Sequence, residues 1–315
     1  MTTLDTRDRP ATQIEIADVV ERTARLVDEH YVFPDVAARL AALLRADVDR
    51  HRRAGSWPAL AGTLTRALQS VNGDRHLGVR FHEQPLPEDS GDPLADDLPR
   101  MARESLGGIH RVERLRGNVG LVRIEPALFG PALAGEAMTA ALRLVADADA
   151  LILDLRETIG GDPEMEALVC GHLFDRPTHL YTMRQRHRPD RQFWSPAPSA
   201  GARFGGDRPL AVLTSATTFS GGESLAYALQ QHGRATVVGE RTGGGAHPRT
   251  GFPVHAHLHL SVPVASPVNP VSGTNWEGTG VVPDVEVPAA EALDAAAAVV
   301  ADPAGGGRGR TVLSS

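Results

Sequence analysis

An α/β fold preceded by a small helical bundle is what this 315-residue sequence predicts, and three observations carry the prediction. Residues 14 to 53, and again 57 to 70, show helical periodicity, with apolar positions recurring every three or four residues. Beyond residue 105, short apolar runs of strand length alternate with helical segments, the pattern of a largely parallel sheet covered by helices. Between the two lies a stretch rich in proline and acidic side chains, Glu83 to Asp97, which reads as an exposed linker.

In the first part, Ile16, Val19, Val20, Thr23, Leu26 and Val27 form one helical stripe, and Val36, Leu40, Leu43, Leu44 and Val48 form another. Tyr31-Val32-Phe33-Pro34-Asp35 separates them, with Pro34 opening the second helix. A third helix is expected over Trp57 to Ser70, ending at the turn Val71-Asn72-Gly73-Asp74. Arg75 to Phe81 then alternates as a strand and carries His76. In the second part, strands are expected at Val119 to Ile124, Ala150 to Leu155, Thr178 to Arg184, Leu210 to Leu213 and Ala235 to Gly239. Helices fall at Ala132 to Val145, Pro163 to Phe174, after Ser220, and over Asp294 to Val299. The resulting organisation is a bundle over 1–82, a linker over 83–104, a core over 105–300 and a disordered tail over 301–315.

Composition narrows the function. Hydrophobic residues make up 42% and charged residues 23%, the balance of a soluble globular chain. A net charge of −7 gives no electrostatic basis for nucleic acid or an anionic membrane as partner. The one cysteine, Cys170, cannot close an internal disulfide, which fits a reducing compartment. Met1 to Pro10 has no apolar run of a signal peptide, and no segment reaches membrane-spanning length, so the expectation is a cytoplasmic protein. Homo-oligomerisation stays open. All 32 basic residues are arginine, which excludes a lysine general base or a lysine Schiff base.

The stretch Leu210 to Gly245 says most about chemistry. A short apolar strand runs through Thr214 to Phe219 into Ser220-Gly221-Gly222-Glu223, and a helix follows until Gly233. That places Ser220 at a helix N-terminus, where free backbone N–H groups and the helix dipole favour a developing oxyanion. The plain alternative is an N-cap serine with no chemistry. Asp154-Leu155-Arg156-Glu157-Thr158-Ile159-Gly160-Gly161 ends a strand in a glycine pair whose N–H groups could approach a ligand closely. His76, after Gly73-Asp74-Arg75, is a candidate base, and Glu277 stands beside Trp276 in a glycine-rich turn. Three histidines, His255, His257 and His259, alternate along an expected strand. An exposed strand face explains them more simply than a zinc site, so neither metal nor cofactor is expected.

Taken together, these patches resemble a known family. Thr218 to Glu223, with Gly233-Arg234-Ala235 and Val238 to Gly245, looks like the nucleophile region of the tail-specific (C-terminal processing) serine peptidases. Asp154 to Gly161 and Gly278 to Asp284 are similar to that family's strand-and-glycine motif and its closing motif. Tyr31-Val32-Phe33-Pro34 and Asp74-Arg75-His76-Leu77 resemble the branch containing interphotoreceptor retinoid-binding protein repeats. The resemblance spans about Ile14 to Val287 and implies a ClpP/crotonase-like ββα-spiral core behind the helical bundle.

Three departures stand out. Gly245 occupies the place where the best-known members carry a catalytic lysine, no room exists after Phe81 for a PDZ-type module, and Thr158 stands where the glycine motif usually has asparagine. The tricorn-type solution in the same superfamily, Ser with His and Glu, maps onto Ser220, His76 and Glu277. In that mapping His76 takes the Ser220 proton, Glu277 steadies the imidazolium, and Gly221 with Gly160 or Gly161 holds the oxyanion. His247, in the loop after Gly245, is the reserve base. The implied function is a serine hydrolase forming an acyl-enzyme, with a peptide as first substrate. The rivals are a carrier of retinoid- or lipid-like ligands and an acyl hydrolase or transferase on a small non-peptide substrate.

Overall fold

The computed structural model describes residues 12–86, 93–197 and 201–302, so the expected tail lies outside the described residues from position 303 on. Helices α1 (Gln13–His30), α2 (Pro34–Ala46), α3 (Val48–Arg52) and α4 (Trp57–Gln69) lead to strand β1 (Gly78–Phe81). Helix α5 (Pro93–Glu104) precedes β2 (Ile109–Leu115), β3 (Val119–Ile124), α6 (Pro131–Leu144), β4 (Ala150–Asp154) and α7 (Pro163–Leu173). Then come β5 (His179–Gln185), β6 (Arg191–Trp194), β7 (Leu210–Thr214), α8 (Gly221–Gln231) and β8 (Thr236–Gly239). Strands β9 (Arg249–His255), β10 (Leu258–Pro263), β11 (Ala265–Val268) and β12 (Val285–Glu286) and helix α9 (Ala292–Ala301) complete the order. The architecture is mixed α/β with a helical N-terminal region, as the sequence predicts.

The chain divides into two compact units, and the division is not the one read from sequence. One unit takes residues up to Asp97 together with Arg184–Asp190 and His247–Ser266; the other takes Leu98–Met183, Arg191–Ala246 and the chain from Pro267. The late segment joins the first unit because β10 pairs antiparallel with both β1 and β9. Those strands bury Val254, Leu258, Leu260 and Val262 against Ile16, Val20, Val27, Leu64 and Leu68 of the helices. The helices alone leave their apolar stripes uncovered, and this three-stranded sheet covers them.

Three local expectations change. The linker over 83–104 contains α5, where Leu98, Met101 and Ala102 recur at helical spacing and Ala102 is buried. His76 precedes β1 rather than lying on it, because the Asp74 carboxylate accepts the His76 N–H (3.0 Å) and holds a turn there. The three histidines do not share one strand face: β9 ends at His255, the chain turns through Ala256 and His257, and His259 lies on β10. His255 instead stacks on Trp57 with ring centroids 3.8 Å apart.

The second unit is built on a six-stranded sheet of order β12-β8-β7-β4-β3-β2, parallel except for the β2–β3 hairpin. Strands β4 and β7 are buried along their whole length, which is why they read as continuous apolar runs. Helix α9 seals one face, packing Ala292, Ala296 and Val300 on Ile152, Ala211 and Leu213. Because β4 and β7 are parallel neighbours, the loops leaving their C-terminal ends emerge side by side, the usual place for a site in such sheets. One loop carries Gly160 and Gly161 into α7, and the other carries Ser220 into α8.

Candidate active site

The loop that presents Ser220 is pinned to the neighbouring loop bond by bond. Thr218 donates its hydroxyl to the Leu155 carbonyl (2.9 Å), and the Ser215 N–H donates to Thr218 Oγ1 (3.0 Å). The Phe219 N–H donates to the Thr158 carbonyl (3.0 Å). The Thr158 hydroxyl, in the place of the usual asparagine, donates to the Ile124 carbonyl (2.7 Å) and is fully buried. This threonine therefore ties the end of β3 to the serine loop. Held this way, Ser220 is half-buried and adopts φ +52° and ψ −115°. A non-glycine residue there is strained and persists only where its surroundings over-determine it.

Gly221, the first residue of α8, lies backbone to backbone against Gly161: a Cβ built on Gly161 would stand 3.3 Å from the Gly221 Cα and 2.8 Å from Leu128 Cβ. Gly160, by contrast, has open space where its Cβ would be. Leu128 donates to the Gly160 carbonyl and accepts from the Asp162 N–H, so the Gly161 N–H points away from that strand. Among the described residues, neither the Gly161 N–H nor the Gly221 N–H donates to another group. Two backbone donors side by side at a helix start can stabilise an anion.

Glu223, one turn into α8, organises the serine and the glycine loop together. Its Oε2 accepts the N–H of Ser220 (2.9 Å) and of Gly245 (2.9 Å). Its Oε1 accepts the N–H of Gly244 (2.6 Å) and the Thr242 hydroxyl. The carboxyl is fully buried, and burial pushes it above the ordinary range against the pull of these four donors. Glu277 joins the same network from the other end of the loop, its Oε2 accepting the Ala246 N–H (2.6 Å). Trp276 Nε1 donates to the Gly245 carbonyl (3.0 Å), and the Gly278 N–H donates to the Gly244 carbonyl (3.0 Å). Ser220, Gly161, Gly221 and Glu277 are thus built into one unit, linked through Glu223 and residues 242–246. The sequence signal for Glu223 was the S-x-x-E capping box, Ser220 to Glu223.

The two candidate histidines belong to the other unit, where Asp74 is the centre. Its buried carboxylate accepts from Tyr31 Oη (2.9 Å) and His247 Nδ1 (2.7 Å) on Oδ2, and from the His76 N–H (3.0 Å) on Oδ1. Burial pushes Asp74 upward, but hydrogen bonding to His247 and Tyr31 prevails and holds it below the ordinary carboxylate range. The contact commits Nδ1 of His247 to Asp74. Burial pushes His76 the other way from its ordinary value, down to about 4 despite the nearby Asp74 charge. His76 and His247 come together around one carboxylate, a grouping with no sequence signal beyond the Asp74-x-His76 spacing.

Comparison with known proteins agrees with this architecture. Residues 118–287 match peptidase family S41, and residues 10–107 match the N-terminal domain of peptidase S41 in eukaryotic IRBP. A carboxyl-terminal-processing protease of Picosynechococcus is 33% identical over 141 residues, which cover 45% of this chain and 32% of that protein. The chain thus spans about a third of the length of that curated relative. Among solved structures, one described as that of a putative peptidase from Parabacteroides merdae superposes with a TM-score of 0.62 at 18% identity, over 90% of this chain and 96% of that one. The tricorn protease superposes with a TM-score of 0.56 at 12% identity, over 92% of this chain and 37% of that one. At such identities these superpositions speak for the fold. With more than half its length matched by the family, the chain belongs to peptidase family S41.

Proposed function

We propose that this chain is a serine hydrolase that cleaves peptide bonds, with Ser220 as the nucleophile. The observation that carries the reading is the strained Ser220 at the start of α8, beside the paired N–H donors of Gly161 and Gly221. Attack of Ser220 Oγ on a carbonyl carbon puts negative charge on the carbonyl oxygen, and those two donors stabilise it. Collapse expels the leaving amine and gives an acyl-enzyme, which water then cleaves. The curated relative is named as a carboxyl-terminal-processing protease, which favours a polypeptide tail as substrate.

The base is an imidazole, since the chain holds no lysine. In the first reading His76 takes the serine proton and Glu277 supports the resulting charge, as the tricorn-type pattern implies. A specific observation favours a second reading: the 2.7 Å contact of His247 Nδ1 with buried Asp74 is the orienting pair that a Ser-His-Asp arrangement requires. Labelling by a fluorophosphonate probe tests the function directly. Wild type should label and Ser220→Ala should not; labelling that survives this change, or its absence in wild type, overturns the assignment. His76→Gln and His247→Gln, assayed in parallel, tell the two bases apart.

A further inference from the structure

One buried acid takes no part in the chemistry above. Glu166, on α7, is 3% exposed and has no ion-pair partner among the described residues. Its Oε2 accepts hydroxyl hydrogen bonds from Ser224 of α8 (2.6 Å) and Tyr181 of β5 (3.1 Å), both of them buried. The location gives this cluster its meaning. Helix α7 begins just after Gly161 and helix α8 begins at Gly221, so the two helices start at the two oxyanion donors. The Ser224 N–H also donates to the carbonyl of Ser220 itself (2.9 Å). A single carboxyl therefore bolts the two helices together one turn below the point where Gly161 and Gly221 touch.

We propose that Glu166 is a positioning residue that, through Ser224 and Tyr181, sets the spacing of the two oxyanion donors, and that it does so as a neutral carboxylic acid. The proposal rests on the reading of Ser220 as nucleophile. As an acid the group accepts both hydroxyls and buries no net charge. Ionised, it leaves a buried charge between α7 and α8 that two neutral hydroxyls only partly offset, and water entry or a parting of the helices relieves the remainder.

Among the described residues no cation offsets Glu166; the nearby Arg234 acts on Cys170 instead. Tyr181 on β5 and Cys170 on α7 are themselves pushed far up by burial, and Asp162 at the start of α7 adds like charge. Ser224 on α8 contributes only its hydroxyl. Burial pushes Glu166 up to about 8, so it is the member of the cluster that titrates first as pH rises.

The test is the rate of fluorophosphonate labelling between pH 6 and 9.5 for wild type, Glu166→Gln and Glu166→Ala, with Tm recorded at each pH. Wild type should lose labelling rate above pH about 8. Glu166→Gln, whose amide supplies both donor and acceptor at every pH, should label within about threefold of wild type at pH 7 and lack that decline. Glu166→Ala should label about 100-fold more slowly, the scale of one misplaced oxyanion donor. Should Glu166→Ala fail to fold, the comparison of wild type with Glu166→Gln decides alone. An alkaline decline shared by Glu166→Gln, or its absence from wild type, overturns the proposal. A wild-type protein that labels at no pH removes the Ser220 reading and this proposal with it.

Discussion

Gly221→Ala tests the oxyanion geometry most sharply, because the obstacle is backbone. A Cβ at position 221 would overlap Gly161 Cα and N and lie 2.9 Å from the Gly161 carbonyl carbon, whereas carbon atoms rest at about 3.5–4.0 Å. No rotamer change relieves such a contact, so the two backbones must part by roughly 1 Å. Overpacking of this kind costs about 1–3 kcal/mol of stability, read as a lower urea midpoint. The larger effect falls on catalysis: with one donor moved off the oxyanion, kcat should drop about 10²–10³-fold. Gly160→Ala is the matched control, since nothing lies within 4 Å of its Cβ and its φ is not positive. That change should leave stability within about 0.5 kcal/mol and labelling unaltered. Equal losses in the two variants, or a Gly221→Ala enzyme labelled at the wild-type rate, would show that the Gly161–Gly221 contact does not form the anion site.

Glu223→Gln turns one acceptor oxygen of a four-donor site into a donor, so at least one N–H or hydroxyl loses its partner. A loss of about 2–3 kcal/mol in urea, with slower Ser220 labelling, is expected. Asp74→Asn should cut kcat by up to about 10⁴ if His247 is the base, because the amide no longer fixes its tautomer, and far less if His76 is. For His76 the folded value of about 4 lies below the ordinary 6.5, so the unfolded chain binds the proton first as pH falls. Stability should therefore decline by up to about 3 kcal/mol between pH 6.5 and 4 in urea titrations of wild type, and less in His76→Gln. A kcat/KM profile whose acid limb is far above pH 4 would show that His76 is not the base.

The elements of the sheet were legible because β4 and β7 announce themselves as unbroken apolar runs and α8 as a stripe stopped by Gly233. The placement of Ser220 followed from those same elements. The organisation of the first unit was not legible, because the sheet that covers its helices is assembled from segments far apart in sequence. Leu260 opposite Val79 is a contact that no local window contains. Helix α5 was hidden by composition: two prolines and three acidic residues within Pro93–Glu104 draw the eye from its amphipathic stripe when the sequence is read alone. The sequence offers His247 only as a reserve base, because its pairing with Asp74 lies 173 residues away along the chain and no local window contains it.

What sequence reading passes over most consistently here is the buried carboxyl, and the number of donors at each explains its state. Glu223 receives four donors, two on each oxygen, and they pull against the burial that pushes it above the ordinary range. Asp74 receives three among the described residues, one of them from the His247 imidazole, and these hold it below the ordinary range against its burial. Glu166 receives two, both on the same oxygen and both from neutral hydroxyls, and their pull is outweighed by the burial that pushes it up to about 8. The same functional group is therefore pushed in different directions by the balance of its burial against the count and kind of its donors.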